Sequence, residues 1–269
     1  MQVARTLVTA ALAATLAVGL AAPAAVAGPA QPDRRATYKP TLKAGAAKVV
    51  SAHRVLLSGT VRPARKGGTV VVQTRLSGSQ KWIKVARLKM TRKGAFSFRD
   101  KPHKIGLRYY RVVVPKSKGV KAGKSASVKV TVYAWKDLLK VTPRSQEYTY
   151  QGSGSIDGTT YDGIYGTWDY GNAGIYDWNL SRDCWKIRGR FGNSDASDAL
   201  AVAHVSLEAD GKAVYAKSFG LTTSEVRTIS ILGAFRVAFR WTSTNPDGTP
   251  EDQSGASAVL AAPEVLCAS

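Results

Sequence analysis

Acid is what the first half of this chain lacks. Between residues 31 and 136 there are two carboxylates, Asp33 and Asp100, against 27 Lys and Arg, a balance of +25. From 137 to 269 the sign reverses, with 11 bases and 16 acids, for −5. A change of sign at one point in a sequence marks a change of domain and of partner. Histidine is scarce as well, and His53, His103 and His204 stand far apart. No Gly-x-Ser-x-Gly elbow, His-Glu-x-x-His pair or Walker loop occurs, which removes the common hydrolase and nucleotide-binding readings. The second half holds enough acids for a glycosidase pair, but no spacing marks one. Asp157, Asp195, Asp198 and Asp210 sit at turn positions without the ligand spacing of a calcium loop. No enzyme, cofactor or metal is expected.

Long apolar runs are also missing, with one exception. Leu7 to Leu20 is apolar, Arg5 precedes it, and Ala25 and Ala27 occupy the −3 and −1 positions of a cut before Gly28. Those are the three parts of a secretory signal, expected over residues 1–27. A membrane anchor is the competing reading, but the run is short of the roughly 20 residues a bilayer crossing needs. An extracellular, secreted or wall-associated protein without a transmembrane anchor follows. Cysteine is limited to Cys184 and Cys267, and an even count in an exported chain favours a disulfide over two buried thiols.

What is present is β-type sequence. After a flexible start over 28–37, short runs alternate apolar residues with Lys or Arg between turns, as in Thr69–Thr74, Arg108–Val114 and Ser125–Tyr133. Period two without any helical period predicts an antiparallel sandwich over 38–134. The run Gly106-Leu-Arg-Tyr109-Tyr110-Arg-Val resembles the late strand of bacterial immunoglobulin-like domains. Its basic residues are spread over strands and turns. They either solvate the surface or attract an anionic polymer, and at the cell surface wall polymers are the expected partners rather than nucleic acid.

Beyond Trp135, Lys thins out and Gly, Asp, Tyr and Trp increase. Tyr176, Trp178 and Leu180 stand at i, i+2 and i+4, on one face of a strand and therefore in a core. Phe235, Val237 and Phe239 repeat that pattern. Tyr165, Trp168 and Tyr170 differ, because they lie with Asp162 and Asp169 in a Gly-rich stretch, Gly163 to Gly174, where a loop is expected. Aromatic planes fit the C–H faces of sugar rings, and Asp accepts hydrogen bonds from hydroxyls. Tyr165, Trp168, Asp169 and Tyr170 are therefore the candidate carbohydrate site, unless the same rings fold back on the sandwich.

Several motifs fall in an order that carries a resemblance: Gly158-Thr-Thr-Tyr161-Asp-Gly163-Ile164, Tyr176-Asp-Trp-Asn-Leu180, Gly192-Asn-Ser-Asp195 and Asp210-Gly211. Residues 135–269 resemble the NPCBM family, carbohydrate-binding modules first noted on family 98 glycosyl hydrolases. That resemblance implies a non-catalytic jelly-roll β-sandwich that binds carbohydrate. The family often has a His soon after the Gly-Ile step, and Tyr165 and Trp168 fill that stretch here. The expectation is thus all-β, two antiparallel sandwiches, immunoglobulin-like and then jelly-roll. The expected function is carbohydrate binding at the bacterial surface, with a structural or adhesive wall protein as the alternative.

Overall fold

The alternation of apolar and basic residues is realised as sheet. The computed structural model describes residues 36–167, 173–245, 247 and 255–269. Among them the fold is all-β, and one short 3-10 turn, Leu138–Lys140, is the only helical element. The main strands of the first half are β1 (Val55–Arg62), β2 (Thr69–Leu76), β3 (Ile83–Lys89), β4 (Ala95–Asp100), β5 (Gly106–Val114) and β6 (Val128–Asp137). Those of the second are β7 (Thr149–Ile156), β8 (Thr159–Gly166), β9 (Gly174–Asn179), β10 (Cys184–Asn193), β11 (Val202–Ala209), β12 (Lys212–Phe219), β13 (Ser224–Ser230), β14 (Arg236–Thr244) and β15 (Ala258–Cys267).

Two hydrophobic cores fill the sandwiches. In the first, β1 and β4 contribute Leu57, Val61 and Phe96, facing Val70 and Val72 of β2, Tyr110 and Val112 of β5 and Val130 and Val132 of β6. Successive side chains on a strand point to opposite faces, so the apolar set turns in and the Lys and Arg set turns out. Tyr110 is fully buried and donates its hydroxyl to the Asp100 carboxylate. Burial and that carboxylate push the phenol well up from its usual range. The one described acid before Asp137 is thereby tied to the core.

In the second core, a sheet of Ser145–Glu147, β9, β14, β11 and β12 faces β8, β15 and β10. Trp178, Phe239 and Leu207 meet Ile164, Phe191 and Leu260. Tyr176, Trp178 and Leu180 are all buried, as their spacing requires. Phe235 is not, and the expectation of an inward ring is corrected. It is 40% exposed and lies ahead of β14, where its N–H and that of Arg236 both donate to the Asp210 carboxylate at 2.9 and 2.8 Å. That turn holds it outside the strand's alternation.

One strand serves both cores. Val128 to Val132 of β6 pair with β5, and Ala134 to Asp137 of the same strand pair with β15. The result is a single sheet with the order β7-β8-β15-β6-β5-β2-β3, with β10 paired on β15 and β13 on β10. Cys184 and Cys267 form a disulfide at directly paired positions of β10 and β15. Among the described residues no helix is long and apolar enough to cross a membrane.

Candidate functional site

Alternation along β11 divides Ala-His-Val-Ser-Leu into two sets. Ala203, Val205 and Leu207 enter the core, while His204 and Ser206 face out. Register with the flanking strands places Thr242 and Ser218 beside His204, and Arg240 and Ala216 beside Ser206. These residues line a cleft of about 510 Å3 on the outer face of the five-stranded sheet, with Ala173 and Gly174 at its edge.

The polar side chains of the cleft, set among apolar lining, are tied by cross-strand bonds. His204 Nδ1 lies 2.6 Å from Ser218 Oγ, and Nε2 lies 2.7 Å from Thr244 Oγ1. Both contacts are to hydroxyls, which can donate to or accept from either ring nitrogen. Arg240 Nε donates to Glu208 at 2.8 Å. Lys217 and Arg227 both donate to Glu225, which also accepts from the Tyr215 hydroxyl. Those hydrogen bonds, led by Arg227 and Lys217, hold the Glu225 carboxyl down at about 2.

A paired Ser and His invites comparison with a hydrolytic dyad. In such a dyad a third group, usually a carboxylate, orients the base and stabilises its charged form. Here the third group is the Thr244 hydroxyl, and among the described residues no carboxylate bonds to the imidazole. What the arrangement offers is a set of donors and acceptors on one face: the Ser206, Ser218 and Thr242 hydroxyls, an imidazole and a guanidinium. Such a set matches the hydroxyls of a neutral sugar.

Beneath the edge of the cleft, two glycines make room for a core indole. The indole of Trp241 is buried, and its Nε1 donates to the Tyr148 carbonyl at 3.3 Å. A Cβ on Gly174 would stand 1.7 Å from that indole, and one on Gly166 would stand 2.6 Å from it. Both positions must be Gly for the ring to fit. Of the two, Gly174 also lines the cleft.

Of the residues predicted from sequence, Tyr165 is corrected. It lies on β8 rather than in a loop, 1% exposed, with its hydroxyl donating to the carbonyls of Tyr161 and Gly154 at 2.8 and 3.0 Å. Burial pushes its phenol up to about 12. It belongs to a small apolar cluster with Ile156, Val259 and Ala261, on the sheet face opposite Ile164. A ring so enclosed offers no plane to a sugar. Trp168, Asp169 and Tyr170 lie outside the described residues. The structure instead brings together His204, Ser206, Ser218, Arg240 and Thr242. The sequence reading singled out none of these; alternation around His204 could have put His204 and Ser206 on one face, while the other three come from strands whose register no local pattern reveals.

Two further described acids have structural roles. Asp195 accepts the N–H groups of Asp157 and Gly158 at 2.7 and 2.9 Å and thereby closes the β7–β8 turn. Asp198 accepts from Gly255 N–H at 2.7 Å. Among the described residues no group of three His, Cys, Asp or Glu could hold a metal ion.

No protein-family model matches the chain and no curated protein matches it, so the likeness to NPCBM domains rests on the motifs quoted above. Solved structures do show similarity. The CBM51-2 and INT domains of Clostridium perfringens ZmpB align at 13% identity and TM-score 0.39, over 61% of this chain and 38% of that one. The chain thus spans less than two thirds of that protein's length. CBM51 from Clostridium perfringens GH95, in complex with methyl-galactose, aligns at 14% identity and TM-score 0.38, over 48% of this chain and 99% of its own. The carbohydrate-binding module CBM36, in complex with calcium and xylotriose, aligns at 18% identity and TM-score 0.29, over 49% and 98%.

Proposed function

We propose that this is a secreted, non-catalytic carbohydrate-binding protein that acts at or near the bacterial surface. The observation that carries the reading is the cleft on the five-stranded sheet. Its His204, Ser218 and Arg240 side chains are held by cross-strand bonds, and among the described residues no carboxylate bonds to the imidazole. Small-molecule sites combine a concave surface with a few well-placed polar groups. Trp168, Asp169 and Tyr170 belong to the proposal as well. They precede Ala173 and Gly174 of the rim in sequence, and they would supply the stacking plane that Tyr165 does not. Export is supported by the signal-like start and by the disulfide, since disulfides persist in oxidising compartments.

A glycan array on the whole mature protein tests the function, and two variants test the site. His204→Ala with Ser218→Ala is expected to lower glycan retention at least about tenfold. The variant loses two cross-strand hydrogen bonds, so its stability should fall by about 1 to 3 kcal/mol while it stays folded, and retention is compared at a temperature well below both melts. Trp168→Ala should lower retention in the same way. Full retention by both variants would place the site elsewhere. No retention of any glycan by the unaltered protein would favour the structural or adhesive alternative.

A further inference from the structure

On the outer face of the long sheet, opposite the two cores, cations lie on aromatic rings from one half of the protein to the other. At one end, Arg111 stands 4.0 Å from the Trp82 ring, and Arg75 stands 5.3 Å from Trp82 and 4.5 Å from Tyr109. At the other, Arg188 lies 4.2 Å from the Trp135 ring and Arg190 lies 5.2 Å from Tyr161. Between them, Trp185 is flanked by Lys48 at 5.4 Å and Lys186 at 4.8 Å, and its ring meets Tyr133 at 5.5 Å. Register puts these residues on one face. Tyr109 pairs with Lys129 of β6, Lys48 pairs with Thr131, and Trp135 continues the same alternation.

Three properties set this face apart from a merely solvated one. Its first-half part is nearly free of acid, because the chain has only Asp100 between 36 and 136 and Tyr110 holds that group at the core; at the second-half end Asp137 follows Trp135 on the strand and Asp183 lies near Tyr133. Glu264 pairs with Arg188 at 2.7 Å. The cations are also positioned. A guanidinium stacked on a ring keeps its edge donors for a ligand and loses less freedom when it binds one. Arg111 commits Nε to Gln73 at 2.8 Å and Arg75 commits one N–H to the Ser79 carbonyl at 2.8 Å, which fixes both further. Finally, the positive groups recur across adjacent strands, about 4.8 Å apart, and at alternate positions along β10.

We propose that this face is a binding track for a linear acidic polysaccharide, distinct from the cleft and independent of it. Stacked guanidiniums suit anionic oxygens spaced along a chain, which they engage through paired N–H donors. Single-stranded nucleic acid is disfavoured by the same geometry. Proteins that hold it offer open aromatic planes to the bases, and here those rings carry cations.

The test uses the mature protein and polygalacturonate as the probe, with binding measured at two salt concentrations. Arg75→Gln with Arg111→Gln should weaken binding by about tenfold or more, as loss of two paired-donor contacts implies. Arg92→Gln with Lys93→Gln, an equal charge loss at exposed turn positions, should change it by less than about twofold. Trp82→Leu leaves the charge intact and should still weaken binding, because the guanidiniums lose their platform. Equal loss in the two charge variants would overturn the track in favour of a diffuse field. An unchanged affinity for Arg75→Gln with Arg111→Gln would remove the site altogether. Should a thymidine oligonucleotide of matched charge displace the polysaccharide, the face is a nucleic-acid surface instead.

Discussion

Asp177 of β9 is a carboxylate with none of its side chain exposed, held between two arginines whose side chains are 49% and 42% exposed. Arg144 donates through Nε to both oxygens at 3.0 and 3.1 Å and through a terminal nitrogen at 2.9 Å, and Arg236 closes on the second oxygen. Burial alone would raise its pKa, but the hydrogen bonds from Arg144 and Arg236 outweigh burial and hold it below the usual carboxylate range. The two sides of this cluster are expected to respond unequally. Asp177→Asn removes the buried charge and leaves arginines that water can solvate, so the loss is the net worth of the charge-assisted bonds, about 1.5 to 3 kcal/mol. Arg144→Gln with Arg236→Gln strands a buried, unpaired carboxylate, which costs about 3 to 5 kcal/mol at neutral pH. The pH dependences should also have opposite signs. In the natural protein the folded pKa is depressed, so the stabilisation is complete above about pH 4 and is lost as pH falls through the lowered value. In the double arginine variant burial raises the pKa, so stability falls as pH climbs from about 4 toward the raised value. Urea unfolding at pH 3, 5 and 7 measures both. The reasoning is refuted if the asparagine variant is the less stable at pH 7, or if the double variant's deficit does not widen with pH.

Two further outcomes follow from other parts of the fold. Cys184 and Cys267 close a loop of 83 residues in sequence, so replacing both with Ser should lower stability by up to about 4.5 kcal/mol on the chain-entropy model; a melt unchanged from that of the oxidised protein would contradict it. Gly174→Ala places a methyl 1.7 Å from the buried Trp241 indole and should cost about 3 kcal/mol or more. Gly211→Ala, with open space around it and φ +79, should cost only about 1 to 2 kcal/mol. Comparable denaturation midpoints for the two would show that the indole has another place to go.

Much of the fold was legible because alternation is local. Trp178 and Tyr176 were assigned to a core by spacing alone, and His204 sits in a run whose odd and even positions differ in kind. The Gly-rich stretch misled at Tyr165 for a definite reason. Glycine was read as a sign of loop, but these glycines mark close approach. A Cβ on Gly154 would lie 2.7 Å from the Tyr165 ring, and one on Gly163 would lie 2.8 Å from the Leu260 carbonyl. Glycine in a strand often means that another group lies against the backbone. The cleft was less legible still. Ser218 and Thr244 reach His204 only through the register of β12 and β14 on β11, which depends on pairing between residues 14 and 40 positions apart. The cation-bearing face was visible as a count of Lys and Arg, but the rings beneath them needed the sheet.

The strand β6 has a consequence for how such a protein can change over generations. Modules that recombine freely are joined by linkers, where few contacts cross and a cut leaves both sides intact. Here every position between Val128 and Asp137 is bonded to a neighbour from one core or the other. An exchange of either half would have to bring a strand whose first residues fit β5 and whose last fit β15. The two halves are therefore inherited as a pair, and a sheet that spans both can accumulate matched residues across its whole width without the risk of being separated from them.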